Sequence, residues 1–231
     1  MNREKGLALT DVIVLTVLAV VLAGTFAWAE LFGWSAKHRT QCMNNVRQIG
    51  LATYQYAIEH DERFPKLVDA KGNEVDAVDA KGNVSKEPAR SAFAILLKRA
   101  YLTTTKVFVC PASGDKVPGD DFPGDFRNAK LQDLILPENN CSYGWDPTKS
   151  RNAHAPCALI ADKPSQNVSP QNQGTAKNNS GNHRGEGQNV WYVDGHVKWG
   201  TLPKPDAGDD PDIYLGGKDW WKSHTDAKII R

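Results

Sequence analysis

His183, Asp194 and His196 form the first set of residues whose types could do chemistry. Two imidazoles and a carboxylate would hold a divalent metal if the fold brought them together. The other reading is structural: His183 hydrogen-bonds to a hairpin, and Asp194 serves the Asp194-Gly195 turn in which it sits. A second set is Asp206, Asp209, Asp210 and Asp212, four carboxylates that repel one another unless solvated or neutralised. Calcium takes six to eight oxygens from a flexible loop. The spacing here is not that of an EF-hand, so a calcium loop and a solvated acidic loop both stand. Asp115, Asp120, Asp121 and Asp125 make a second acidic loop with the same two readings.

Four cysteines, Cys42, Cys110, Cys141 and Cys157, complete the inventory. None lies in a CxxC or in a Cys/His spacing suited to zinc. An even count in a loop-rich region suggests disulfides and an oxidising compartment. Three pairings are possible. We expect Cys141–Cys157 to close a local loop and Cys42–Cys110 to tie a helix to the rest; four reduced, buried cysteines are the alternative. Trp220-Trp221 reads either as a partner-docking patch or as a pair that closes the lower edge of a domain. No nucleophile elbow, P-loop, GxGxxG or HExxH occurs, so no residue is assigned to catalysis and the chain is read as a non-enzyme.

The elements that would position these residues follow from hydropathy. Val12–Ala29 is uncharged and apolar. Eighteen residues at helical rise reach ~27 Å, enough for a bilayer core. Trp28, Phe32 and Trp34 stand where an interfacial aromatic belt would be. A cleaved secretory signal is the competing reading, with Ala27-Trp28-Ala29 as its processing site. Beyond it, Cys42, Val46, Ile49, Thr53 and Tyr56 recur every three or four residues, so 35–62 reads as an amphipathic helix ending before Pro65. The organisation expected is a leader at 1–6, a membrane helix at 7–34, the amphipathic helix at 35–62 and a globular domain at 63–231. With 28 basic against 27 acidic residues the net charge is +1, which argues against a polyanion binder, so no nucleic-acid partner is expected.

Within the globular part, Asp69–Asn73 and Asp79–Asn83 are near-copies that read as hairpin turns. Ser91–Tyr101 reads as a short helix. Strands are expected at Lys106–Cys110, Ser142–Trp145 and Ala158–Ala161. Asn189–Trp199 reads as a hairpin with a two-residue turn at Asp194-Gly195. That register pairs Tyr192 with Val197 and Val190 with Trp199, and sets those four on the face toward the helix.

The leader NREKG before Leu7-Ala8-Leu9-Thr10-Asp11 resembles a prepilin signal, with Gly6 as the last leader residue and Asp11 fifth after it. Leu7 stands where that family has Phe, and Asp11 where it has Glu. The segments RTQCMNNVRQIGLATYQYAIEHDERFP, VFVCPAS, CSYGWDP, ALIADKP and NHRGEGQNVWYVDGHVKW resemble, in the same order, prepilin-type pseudopilin-like proteins with a His-x9-Asp-Gly domain. His183, Asp194 and Gly195 match that motif with ten intervening residues. The resemblance implies an α+β pilin-like fold: a long N-terminal helix, half membrane-spanning and half amphipathic, packed on a small antiparallel sheet with long loops. It implies a single-pass inner-membrane protein with a periplasmic or extracellular head, a pseudopilin or minor pilin of a secretion or type IV-like filament. Its partners would be lipid and other copies or other membrane-complex subunits met through the N-terminal helix. Asp11 would then neutralise the Leu7 amine of a neighbouring copy. Pseudopilins of type II secretion bind calcium on an acidic loop near the C-terminus, which puts Asp206–Asp212 in view. The second expectation is an uncleaved single-span accessory subunit of an inner-membrane complex, whose head docks or braces partners.

Overall fold

A computed structural model describes residues 9–79, 85–155, 157–205, 210–217, 220–223 and 225–230; side chains at 27, 29–35 and 221 are outside the description. Two compact units divide the chain, Met1–Lys37 and His38–Arg231. Helix α1, Leu9–Glu59, contributes to both. Gly6 and Leu7 lie outside the described residues.

In the first unit, Leu9–Phe26 is an 18-residue apolar stretch with mean hydropathy 2.3 and no part of it buried. Two of its hydroxyls are turned back onto the helix: Thr16 Oγ1 donates to the Val12 and Ile13 carbonyls and Thr25 Oγ1 to Leu22. A helix that satisfies its polar groups internally while showing apolar side chains outward suits a lipid solvent. Asp11 lies in the first turn and is exposed.

In the second unit, the apolar stripe read from the sequence is the buried one: Cys42, Val46, Ile49 and Thr53 are fully buried and Tyr56 nearly so. The helical stretch after His38 lies on an antiparallel sheet of order β3-β4-β5-β6, where β3 is Tyr143–Trp145, β4 Ala158–Asp162, β5 Gln188–Tyr192 and β6 Val197–Gly200. The helix and sheet meet closely at Gly50, where an added Cβ would sit 2.3 Å from the Trp191 ring. The Tyr54 ring meets Trp191 edge-on. Beside them Phe64 and Phe93 pack on Trp145, and Phe93 belongs to a short buried helix α2, Phe93–Lys98. β4 and β5 are buried along their whole length, so both faces of the sheet are covered. The exposed edge of β3 is closed by Ile230, which exchanges two backbone hydrogen bonds with Trp145.

Three local expectations are corrected. Lys106–Phe108 is a 3-10 turn rather than a strand. Its neighbours leave it no strand partner among the described residues; only Phe108 O reaches a strand-flanking group, the Ser142 N–H. The β5–β6 hairpin has a three-residue loop. Gly195 N donates to Tyr192 O, Tyr192 N donates to His196 O, and Gly195 takes φ +93°. This is the bulged alternative to the two-residue turn. The pairing is therefore Trp191 with Val197 and Asn189 with Trp199. A slip of one residue exchanges the faces, which is why Trp191 rather than Val190 and Tyr192 meets the helix. Third, Cys141 and Cys157 are buried free thiols. Tyr143 pairs with Asp162 and Trp145 with Ile160, which sets Cys141 and Cys157 beyond opposite ends of the β3–β4 pair. At strand rise that separation is roughly 20 Å, far past the reach of a disulfide. The first Asp-Ala-Lys-Gly-Asn copy forms the turn between β1, Leu67–Val68, and β2, Glu74–Val75. Asp69 holds it by accepting from Lys71 and Asn73 N–H groups. Most of the second copy lies outside the described residues.

Candidate functional site

The helix-facing side of the sheet ends in a buried polar corner. Cys42, on the buried stripe of α1, is disulfide-bonded to Cys110, with Cα atoms 5.1 Å apart. His183 reaches this pair: its Nε2 lies 3.5 Å from Cys110 Sγ. The same nitrogen is 3.3 Å from Asp162 Oδ2, with both side chains buried. Asp162 closes β4, and its carboxylate is fixed from three sides. Asn182 Nδ2 donates to Oδ1 at 2.9 Å, while the Asn189 backbone N–H and Nδ2 donate to Oδ2 at 2.7 and 3.1 Å. The Trp199 ring meets His183 edge-on at 5.0 Å, and the Arg39 guanidinium lies over the Trp199 ring, 4.0 Å from its centroid. Burial first, and then the Asp162 charge, pushes the Tyr143 and Tyr214 hydroxyls well above their usual range, so both stay neutral beside it. Tyr214 OH donates to the Asp162 carbonyl.

The structure divides the His183, Asp194 and His196 set. Asp194 Oδ1 accepts from the His196 backbone N–H at 3.1 Å and sits 2.6 Å from His196 Nδ1, at the exposed hairpin tip. His183 lies beside Asn189, at the opposite end of β5. Asp194 lies five residues on from Asn189, about 16 Å at strand rise, so no single ion could be held by His183 and Asp194. Asp162 and Asn189 are the partners of His183 that sequence reasoning missed. The available signal was an acidic residue terminating the apolar run Ala158–Ala161, where a carboxylate that is buried needs polar partners.

The acidic loop is placed in part. Asp206 and Asp209 lie outside the described residues. Asp210 and Asp212 are buried, and their oxygens accept backbone N–H groups. Asp210 receives those of Asp212 and Ala227, and Asp212 those of Gly174 and Tyr214 together with Asn178 Nδ2. Burial raises the Asp210 carboxyl to about 6. These two carboxylates therefore act as ties between the 170s loop, the 210s turn and the C-terminal segment. In the other acidic stretch, Asp115 is paired with Lys163 at 2.6 Å and also accepts from Ser142 Oγ. Asp125 accepts from Asn128.

Of the Trp220-Trp221 pair, Trp220 is buried, with the Lys149 and Lys228 ammonium groups each 5.6 Å from its ring centroid. The docking-patch expectation is corrected for this residue: its carbonyl accepts from Lys149 Nζ, which draws the turn inward. The Trp221 side chain lies outside the described residues.

Compared with protein-family models, curated proteins and solved structures, the chain finds no match in any of the three.

Proposed function

We propose that the chain is a membrane-anchored structural protein of pilin-like plan, a pseudopilin or minor pilin, with its N-terminal helix in the inner membrane and its head on the periplasmic or outer side. One observation carries this reading: Leu9–Phe26 is long and apolar enough to cross a bilayer, and none of it is covered by the rest of the chain. Exposed apolar surface of this extent needs lipid or other helices around it. The Cys42–Cys110 disulfide fits an oxidising compartment. The ordered motif segments that resemble prepilin-type proteins support the same reading. Leu7 and Asp11, in place of Phe and Glu, favour a second one: an uncleaved single-span subunit that braces a larger membrane complex.

Membrane fractionation tests the anchor. The full chain is expected in the alkali-resistant membrane pellet, and a chain beginning at Trp34 in the soluble fraction. Soluble product from the full-length gene, with a new N-terminus near Ala29, would identify a secretory signal and end the proposal. The N-terminal residue of the native chain separates the two readings: Leu7 for the pilin, Met1 for the accessory subunit.

A further inference from the structure

We propose that the corner where Cys42, Cys110, His183 and Asp162 meet is a redox-gated zinc site, closed while the cysteines are bonded and able to take one Zn²⁺ once they are reduced. The inference concerns the head alone and stands apart from the anchoring proposal.

The donor set carries it. One ligand atom from each residue lies within 4.8 Å of every other, and all four residues are buried. Two thiolates, an imidazole and a carboxylate suit a closed tetrahedral zinc centre. The spacing also fits. Zinc bond lengths near 2.0–2.3 Å put tetrahedral nitrogen and oxygen ligands about 3.4 Å apart, and nitrogen and sulfur about 3.6 Å apart. His183 Nε2 is 3.3 Å from Asp162 Oδ2 and 3.5 Å from Cys110 Sγ, so two edges of the tetrahedron already exist. The sulfur–sulfur edge is the one that must open, from a covalent bond near 2.05 Å to about 3.8 Å. With the Cα atoms 5.1 Å apart, rotation about the Cα–Cβ bonds of Cys42 and Cys110 is the movement that would open it. The supporting shell is built as well. Asn182 and the Asn189 backbone and side chain hold the carboxylate, and Trp199 walls the imidazole.

The chemistry balances with a dithiol reductant. The Cys42–Cys110 S–S bond breaks and accepts two electrons and two protons from the dithiol, which closes to its own disulfide. Zn²⁺ binding then releases the two thiol protons to solvent. His183 binds in the tautomer that carries its ring proton on Nδ1, with the Nε2 lone pair toward the metal.

The experiment uses the full chain in detergent micelles. It is reduced with dithiothreitol, desalted anaerobically and titrated with Co²⁺. The expected result is one Co²⁺ per chain with a thiolate-to-cobalt charge-transfer band, bleached by one equivalent of Zn²⁺, and no such band in the oxidised chain. His183→Gln should weaken Co²⁺ uptake roughly a hundredfold or more, beyond the 10–100-fold typical of outer partners. The Cys141→Ser/Cys157→Ser double variant should keep the band. A reduced wild-type chain without the band, or a band lost in that double variant, overturns the proposal. So does circular dichroism showing that the reduced chain unfolds and does not refold on adding Zn²⁺.

Discussion

Asp210 holds a carboxyl where water does not reach, and its environment sets a direction for stability with pH. Burial is the largest influence, raising it from 3.8 to about 6, against the two backbone N–H groups that pull it down. A folded-state value above the unfolded one means that the fold favours the protonated form. The stabilisation is complete below about pH 3.8, fades as pH rises and is gone above about 6. Two units correspond to roughly 3 kcal/mol. Asp210→Asn cannot ionise, so the stability gap between wild type and variant should shift by about 2–3 kcal/mol in the variant's favour from pH 4 to pH 7. Denaturant unfolding of both chains at pH 4, 5.5 and 7 measures it; a gap constant across that range would contradict the assignment. The exposed Asp69 and Asp125, held below the ordinary range first by Asn side chains, contribute equally to both chains and cancel.

At the scale of elements, the register of one hairpin and the absence of one side chain decide how helix and sheet meet. The β5–β6 loop places Trp191 on the inner face, and Gly50 gives its ring room against α1. Alanine at position 50 would gain up to about 1 kcal/mol of helix propensity. It would also drive a methyl into an indole held by Tyr54 and the sheet, for an overpacking cost of about 1–3 kcal/mol. Gly50→Ala should therefore destabilise the head by up to about 2 kcal/mol and alter the near-ultraviolet dichroism of its tryptophans. Gly24→Ala is the control, since nothing lies within 4 Å of its Cβ position, and it should leave both readouts unchanged. Equal effects of the two substitutions would show that the Trp191 contact does not limit the packing.

At the scale of the whole molecule, the question is what an apolar, uncovered helix carrying one early carboxylate does among copies of itself. An ionised carboxylate in a lipid-facing bundle is costly unless paired. Under the pilin reading it would pair with the free amine of Leu7 on a neighbouring copy and so set the register between subunits. Asp11→Ala should then abolish filament or complex assembly while leaving membrane insertion and head stability intact. Cross-linking in membranes, with head unfolding followed in parallel, reads the two effects separately. Assembly that survives the substitution would remove Asp11 from that role and favour the bracing subunit.

Periodicity along the chain was sufficient for the apolar helix, for the buried stripe Cys42–Tyr56 and for β3 and β4; of the two disulfides expected, only Cys42–Cys110 is present. These are properties of spacing, and a helix or strand expresses spacing directly. Tertiary structure alone decided the rest. A single bulged loop residue reversed the faces of β5. Antiparallel pairing carried Cys141 and Cys157 apart despite their nearness in sequence. The same pairing sent Asp194 to the hairpin tip and His183 to the opposite end, where Asp162, 21 positions earlier, awaited it. The cysteines show no zinc spacing along the chain because Cys42, Cys110, Asp162 and His183 come from four separate segments, and only the folding of helix onto sheet makes them neighbours.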